Sequence, residues 1–280
     1  MVKVTDDIRA ACEAHVGRSR TATDAMDPER ARAMQGLFDE TPSLAAGDAL
    51  PPLWHWLYFH DTPRISELGR DGHEALGRFL PPAPFDRRMW AGGALEFHAP
   101  LILGEPAEKR SEIVSVTFKT GASGELCFVD VAHRLRQGGA LKISETQTVV
   151  YRDKGPAAQM PVWQGDREGW QQPDIRLLYR YSALTYNGHR IHYDRDFCRD
   201  EEGYPGLVVH GPLLATHLAR AAAAQAKDVT LSAFRFRALA PVFEGVPFRV
   251  KPAGPHPETL ELERADGVTA MRAELAWAAA

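Results

Sequence analysis

Along the second half of the chain, apolar and polar positions alternate with the period of two that marks a half-buried strand. Phe234 and Phe236 alternate with Arg235 and Arg237, and Leu260 and Leu262 with Glu261 and Glu263. Strands are therefore predicted around Val229 to Leu239, Val246 to Val250, Thr259 to Arg264 and Thr269 to Trp277. One face of such a sheet needs a cover, and Pro212 to Ala226 supplies it. Leu213, Leu214, Leu218 and the run Ala221 to Ala224 make a mostly apolar helix with small residues, suited to lie close against a sheet. The first half repeats this grammar. Helices are predicted over 5–15 and 27–39, the second announced by Asp27 as N-cap ahead of Pro28. Val114, Val116 and Phe118 then alternate with polar residues. Leu126 to Leu135 and Ala140 to Tyr151 follow, set off by turns at Gly121 to Gly124 and at Gly138 and Gly139, and complete an antiparallel meander.

Between these halves, residues 153–173 are rich in Gly, Pro and Gln without periodicity, which reads as a linker. The organisation expected is thus an N-terminal domain over 1–152, a linker over 153–173 and a C-terminal domain over 174–280. An antiparallel sheet wrapped around one mostly buried helix is the hot-dog arrangement. The chain is accordingly expected to be α+β, a double hot dog with two antiparallel sheets each wrapped around a central helix.

Composition narrows the partners. At 280 residues, 44% hydrophobic and 25% charged, the chain is long enough and apolar enough for large buried cores, which excludes a disordered or fibrous protein. Its 33 basic residues are scattered among 37 acidic ones, so nothing in the charge pattern fits a nucleic acid. The first residues are charged and no apolar run reaches bilayer length, so neither a signal peptide nor a membrane span is expected, and a cytoplasmic location follows. Cys12, Cys127 and Cys198 are odd in number and far apart. They read as small buried hydrophobes, neither a disulfide framework nor a thiolate metal site, and Cys198 has no neighbour in sequence to activate it as a nucleophile.

Polar chemistry is crowded into residues 181–194, which carry His189, His192, Asn187, Asp194, Tyr186 and Tyr193, and His210 opens the helix that follows. His15, His55, His60, His73, His98, His133, His217 and His256 stand alone and read as structural. The spacing of His189, His192, Asp194 and His210 does not match the helical His-Glu-x-x-His zinc motif, so no metal and no other cofactor is expected. Gly211 has no Cβ to block a ligand, and Pro212 at the first helical position leaves neighbouring amides and the positive end of the dipole facing outward, a place for an oxyanion.

Thr185-Tyr-Asn-Gly-His-Arg-Ile-His192 and Gly206-Leu-Val-Val-His-Gly211 resemble the hydratase motif of the MaoC-like family, Thr-Gly-Asp-x-Asn-Pro-x-His, and its following helix entrance. The flanking Ser-Ala-Leu-Thr-Tyr-Asn and His-Arg-Ile-His-Tyr-Asp are more similar to the hydroxyacyl-thioester dehydratase type 2 branch and to mesaconyl-C4-CoA and itaconyl-CoA hydratases. Leu53 to Phe59 and Arg87 to Phe97 resemble the N-terminal hot dog of those enzymes. The resemblance implies a hydro-lyase that reversibly hydrates an α,β-unsaturated acyl-CoA. It points to a branched C5 dicarboxylyl group hydrated to citramalyl-CoA, with a catalytic C-terminal half and an N-terminal half that accommodates substrate. In this family an Asp and a His activate the water. Here the Asp position is Asn187, the Asn position His189 and the Pro position Arg190, so His192 is expected as general base, Asn187 as a positioning group and the Gly211 amide as oxyanion donor.

Around substrate the candidates are His189, Arg190, Tyr186, His210, Arg87 and Arg88. A distal carboxylate wants a guanidinium from among the three arginines. His210 stands equally for a packing residue at the helix start, and Asp194 for a group that orients an imidazole. The alternative substrate is a straight-chain (R)-3-hydroxyacyl thioester on CoA or acyl carrier protein. A thioesterase is disfavoured because residues 212–226 contain no Asp or Glu, and a non-catalytic acyl-CoA binding module because it needs no imidazoles. The expected partner is the acyl-CoA itself, with a homodimer left open.

Overall fold

The first two helices begin where capping side chains stand. The computed structural model describes residues 2–121, 124–155, 157–166, 168–226, 229–252 and 258–279. His256 and the tip of the turn expected at 121–124 lie outside them. In α1 (Asp6–Glu13) the Thr5 side chain caps the first turn, and in α2 (Pro28–Leu37) Asp27 Oδ1 accepts the Glu29 N–H at 2.9 Å. The first half supplies five strands: β1 (Ser19–Asp24), β2 (Arg87–Phe97), β3 (Ala107–Gly121), β4 (Gly124–Gln137) and β5 (Ala140–Arg152). The second half supplies α3 (Ile175–Thr185), α4 (Gly211–Gln225), β6 (Val229–Ala238), β7 (Phe248–Pro252), β8 (Thr259–Arg264) and β9 (Thr269–Ala279). Every strand pairing is antiparallel, in the order β1-β3-β4-β5-β2-β6-β9-β8-β7. This is the α+β double hot dog, with its two sheets joined edge to edge rather than lying apart.

The join is made by β2 against β6, from Gly92 opposite Arg237 to Glu96 opposite Ala233. Pairing them removes two open edges, each a row of unsatisfied N–H and C=O groups. Glycine is required here by contact. A Cβ on Gly92 would sit 2.5 Å from the Phe236 carbonyl oxygen, and one on Gly93 would sit 2.9 Å from the Phe236 ring.

In the second half α4 packs on β6, β7, β8 and β9 and buries Leu213, Leu214, Ala215, Leu218, Ala219 and Ala222. Each leucine contributes about 1.5–3 kcal/mol by leaving water, and the alanines let the helix lie close to the sheet. Phe234 and Phe236 face this core while Arg235 and Arg237 face outward. The same core runs into the first half, where Met26, Trp54 and Leu95 join Leu178, Phe234 and Leu262. A second cluster, with Cys12, Ile113, Cys127 and Tyr151, lies under α1, and all three cysteines are free and buried. The described residues of 153–173 form no helix or strand, and Gln171 bridges back to Phe248. No helix among the described residues is long and apolar enough to cross a membrane.

Candidate active site

α3 begins with Asp174 capping the Leu177 N–H at 3.0 Å and ends at Tyr186, whose left-handed backbone (φ 52°) turns the chain sharply. A non-glycine residue there costs on the order of 1–2 kcal/mol, which the surrounding packing must offset. Asn187 Oδ1 then accepts the His189 N–H at 3.0 Å, and one 3-10 turn, Arg190–His192, carries the chain inward. His189 and His192 are buried as a result.

His192 Nδ1 lies 2.7 Å from the Val208 carbonyl oxygen. A carbonyl only accepts, so Nδ1 carries the hydrogen and Nε2 keeps a bare lone pair. The ring stacks on His210 with centroids 3.6 Å apart and planes 20° apart. His210 in turn places Nε2 2.8 Å from Ser182 Oγ and meets the Tyr181 ring edge at 4.8 Å. Burial pushes His192 down to about 3, against the Val208 hydrogen bond, so it is neutral at physiological pH. Burial and the neighbouring imidazoles also hold His189 and His210 well below the ordinary value.

A cavity of about 1220 Å³ opens beside these groups, lined by His189, His192, Asn187, Tyr186 and Gly211 from the second half and by Arg88, Trp90 and His73 from the first. Gly211 is the first residue of α4, and a Cβ there would meet nothing within 4 Å. Its amide, in the first turn, lacks an intrahelical acceptor. His210 does not line the cavity and is 0% exposed, so of its two readings the packing one fits its surroundings.

Arg190 is also turned away from the cavity. It pairs with Asp194 at 2.8 Å, donates to the Arg70 carbonyl at 3.0 Å and lies over the Phe197 ring at 4.2 Å. Asp194, engaged by Arg190 and by the Phe197 N–H at 2.9 Å, orients no imidazole. Arg87 and Arg88 do line the cavity, but their charges are already matched. Arg87 pairs with Glu202 at 3.2 Å over the Tyr204 ring, and Arg88 grips both oxygens of Asp71 at 2.7 and 3.0 Å. The Cys198 thiol, pushed up to about 12 by burial, is no nucleophile.

Folding adds residues that no spacing revealed. His73, read alone as structural, stands 4.5 Å from the His189 ring, which in turn is 5.5 Å from His192. It arrives on a loop docked by backbone contact: Gly72 has φ +88°, and a Cβ on it would sit 2.1 Å from the Gly188 carbonyl oxygen. Gly72→Ala is expected to destabilise the protein by about 1–3 kcal/mol through this strain and clash, read as a lower thermal midpoint; an unchanged midpoint would refute the tight docking. Asp71, His73 and His189 place potential ligand atoms within 4.8 Å of one another. Arg88 already supplies the positive charge at that carboxylate, however, so the donor set does not suit a cation.

A second polar group lies on the inner face of the first-half sheet. Glu145 accepts from His55 at 2.9 Å and Trp56 at 3.0 Å, while His133 bonds Ser111 at 2.8 Å and Gln147 at 3.2 Å. His55, Trp56, Glu145, His133 and Gln147 border the same cavity. Burial alone would raise the Glu145 carboxyl, but the hydrogen bond and charge of His55 hold it at about 2. The runs that reveal β4 and β5 by their Val, Ile and Thr content conceal this polar row.

Residues 53–244 match the family profile described as hydroxyacyl-thioester dehydratase type 2. The chain belongs to that family. A mesaconyl-C(4)-CoA hydratase of Chloroflexus aurantiacus is 42% identical over 269 residues, 93% of this chain and 95% of the relative. The mitochondrial hydroxyacyl-thioester dehydratase type 2 of Schizosaccharomyces pombe is 28% identical over 231 residues, 72% of this chain and 77% of the relative. Two solved structures share the fold. A MaoC-like dehydratase from Phytophthora capsici superposes with TM-score 0.64 at 14% identity, over 97% of this chain and 99% of that one. A Mycobacterium tuberculosis protein with a double hotdog fold gives 0.55 at 14%, over 94% and 96%. As a member of the hydroxyacyl-thioester dehydratase type 2 family the chain is a hydro-lyase, hydrating and dehydrating acyl thioesters.

Proposed function

We propose that this chain adds water reversibly to a branched C5 dicarboxylyl-CoA, mesaconyl-C4-CoA or itaconyl-CoA, to give citramalyl-CoA. The observation that carries the reaction is His192, a neutral imidazole with Nε2 bare, on a cavity lined also by Gly211, the first residue of α4. Hydration needs a base for the water, donors for the enolate oxygen and a proton for the α carbon. His192 Nε2 takes the proton as the water oxygen bonds to the β carbon. The Gly211 amide, at the positive end of α4, receives the enolate oxygen. The Asn187 oxygen is used within its turn, so its NH₂ orients the water or the thioester.

Two features support a dicarboxylyl substrate. One is the 42% identity to a mesaconyl-C(4)-CoA hydratase. The other is that the cavity wall on the first-half sheet carries the polar side chains of His133 and Gln147, a surface that suits a polar acyl group better than a plain alkyl chain. In this reading residues 174–280 hold the base and residues 1–152 wall the substrate in. A cytoplasmic location and a homodimer belong to the same proposal; buried free cysteines suit a reducing compartment, and size-exclusion chromatography tests the dimer. α4 carries no Asp or Glu, which continues to argue against a thioesterase.

The test is to incubate the protein with mesaconyl-C4-CoA, itaconyl-CoA and crotonyl-CoA and follow the mass of the thioesters. Gain of one water, fastest on a C5 dicarboxylyl ester, is expected. No gain on any of the three would overturn the reading, and a preference for crotonyl-CoA would favour the straight-chain alternative.

A further inference from the structure

We infer that His73, which lies beside Asp71, is the acid that delivers a proton to the α carbon, so that the first half of the chain completes the active site. The inference rests on the reading that this site hydrates an unsaturated thioester. It starts from a shortage: His192 with a bare Nε2 is a base and cannot at the same time donate. Asn187 does not titrate, and His210 is sealed behind His192 on Ser182. The imidazoles left on the cavity wall beside His192 are His189 and His73.

Geometry separates these two. His73 Nδ1 lies 3.7 Å from Asp71 Oδ2, whereas among the described residues no carboxylate is within 4.0 Å of the His189 ring nitrogens. A carboxylate beside an imidazole favours its protonated form. Asp71 is fixed as an anion by the two Arg88 hydrogen bonds and also accepts the His73 backbone N–H at 3.2 Å. The loop bearing both residues is locked on the catalytic turn by the Gly72 to Gly188 contact and by the Arg190 N–H donating to the Asp71 carbonyl at 2.9 Å. The charged and titratable groups facing His73 are thus Asp71 on its own loop, Arg88 from β2 and His189 from the turn, with His192 beyond. Burial lowers the proton affinity of His73, Asp71 offsets part of that loss, and Arg88 opposes the offset.

The step balances. The water oxygen bonds to the β carbon while its proton passes to His192 Nε2, and the π pair moves to form the enolate. The α carbon takes the proton of His73, whose N–H bond pair stays on the imidazole. His192 then gives a proton to solvent and His73 takes one, so the net change is addition of one water. His73 is a catalytic residue in this scheme and Asp71 a positioning residue.

His73→Gln, His73→Ala and Asp71→Asn in the full chain test it. His73→Gln is expected to lower kcat about 10²–10⁴-fold with KM within about threefold, and free imidazole to restore part of the turnover of His73→Ala. The wild-type rate is expected to fall as pH rises through the His73 pKa, below its ordinary 6.5, and Asp71→Asn to move that limb to lower pH. Near-normal turnover of His73→Gln in an active wild-type background would sink this inference alone. So would a loss confined to KM, or a loss with no imidazole rescue and an unchanged pH limb in Asp71→Asn, which would mark a structural role. A wild type that hydrates none of the esters would take the function reading down as well, and that result is distinguishable from the others.

Discussion

His192→Ala is expected to lower kcat by about 10²–10⁴-fold while KM changes little, because the lost group acts on the water in the transition state. The variant should keep its circular dichroism, since the ring is one layer of a stack whose other member, His210, retains Ser182 as a partner. The sign of the pH dependence follows from burial. The active form is the unprotonated one, and His192 is held at about 3, so acidification removes this base only as pH falls through about 3. Between about pH 5 and 8 the base stays competent, and any pH limb found there belongs to another group. Steady-state kinetics on the thioesters checks both statements. Turnover close to wild type in His192→Ala would mean that the base lies elsewhere.

Glu145→Ala is expected to cost about 2–6 kcal/mol of stability, because it leaves two buried donors, His55 and Trp56, without their acceptor at about 1–3 kcal/mol each. That is a large share of the ~5–15 kcal/mol that holds a typical domain together. His55 is almost fully buried and loses its partner at 2.9 Å, and Trp56 loses its acceptor at 3.0 Å. The Glu145 carboxyl is held at about 2 in the fold, below its ordinary 4.5, so its charge stabilises the fold above pH 4.5 and ceases to do so as pH falls through about 2. Glu145→Gln, which keeps an acceptor but not the charge, should lie between wild type and Glu145→Ala at pH 7 and converge on wild type in acid. Urea denaturation at several pH values measures this. A Glu145→Ala midpoint equal to wild type would show that the pair contributes nothing.

The strands were legible where one face is apolar and the other polar. β8 runs Thr259–Arg264, as its alternation predicts, and β4 and β5 match their runs to within two residues at each end. β1 and β2 were not legible. β1 has no apolar alternation to display, and β2 contains Gly92 and Gly93, which weaken a strand pattern although close packing against Phe236 is the reason they are there. α3 was hidden because its last turn overlaps the polar motif, and only burial of Leu178, Tyr181 and Ser182 on one face exposes it. In the site, His192, Asn187 and Gly211 reach the cavity from the motif that named them, while Arg190 is diverted to Asp194.

The α+β double hot dog, the family and the residues crowded into 181–194 could be read along the chain, because each of these is written in local periodicity or contiguous motif. The rest came with folding. It fused the sheets at β2 and β6, chose the His192 tautomer through Val208, withdrew His210 behind His192, and set the Glu145 and His55 pair on the cavity wall. It also carried His73 to His189 on the Gly72 loop. These are contacts between residues far apart along the chain, and proton affinity depends on burial and on neighbours that only folding supplies.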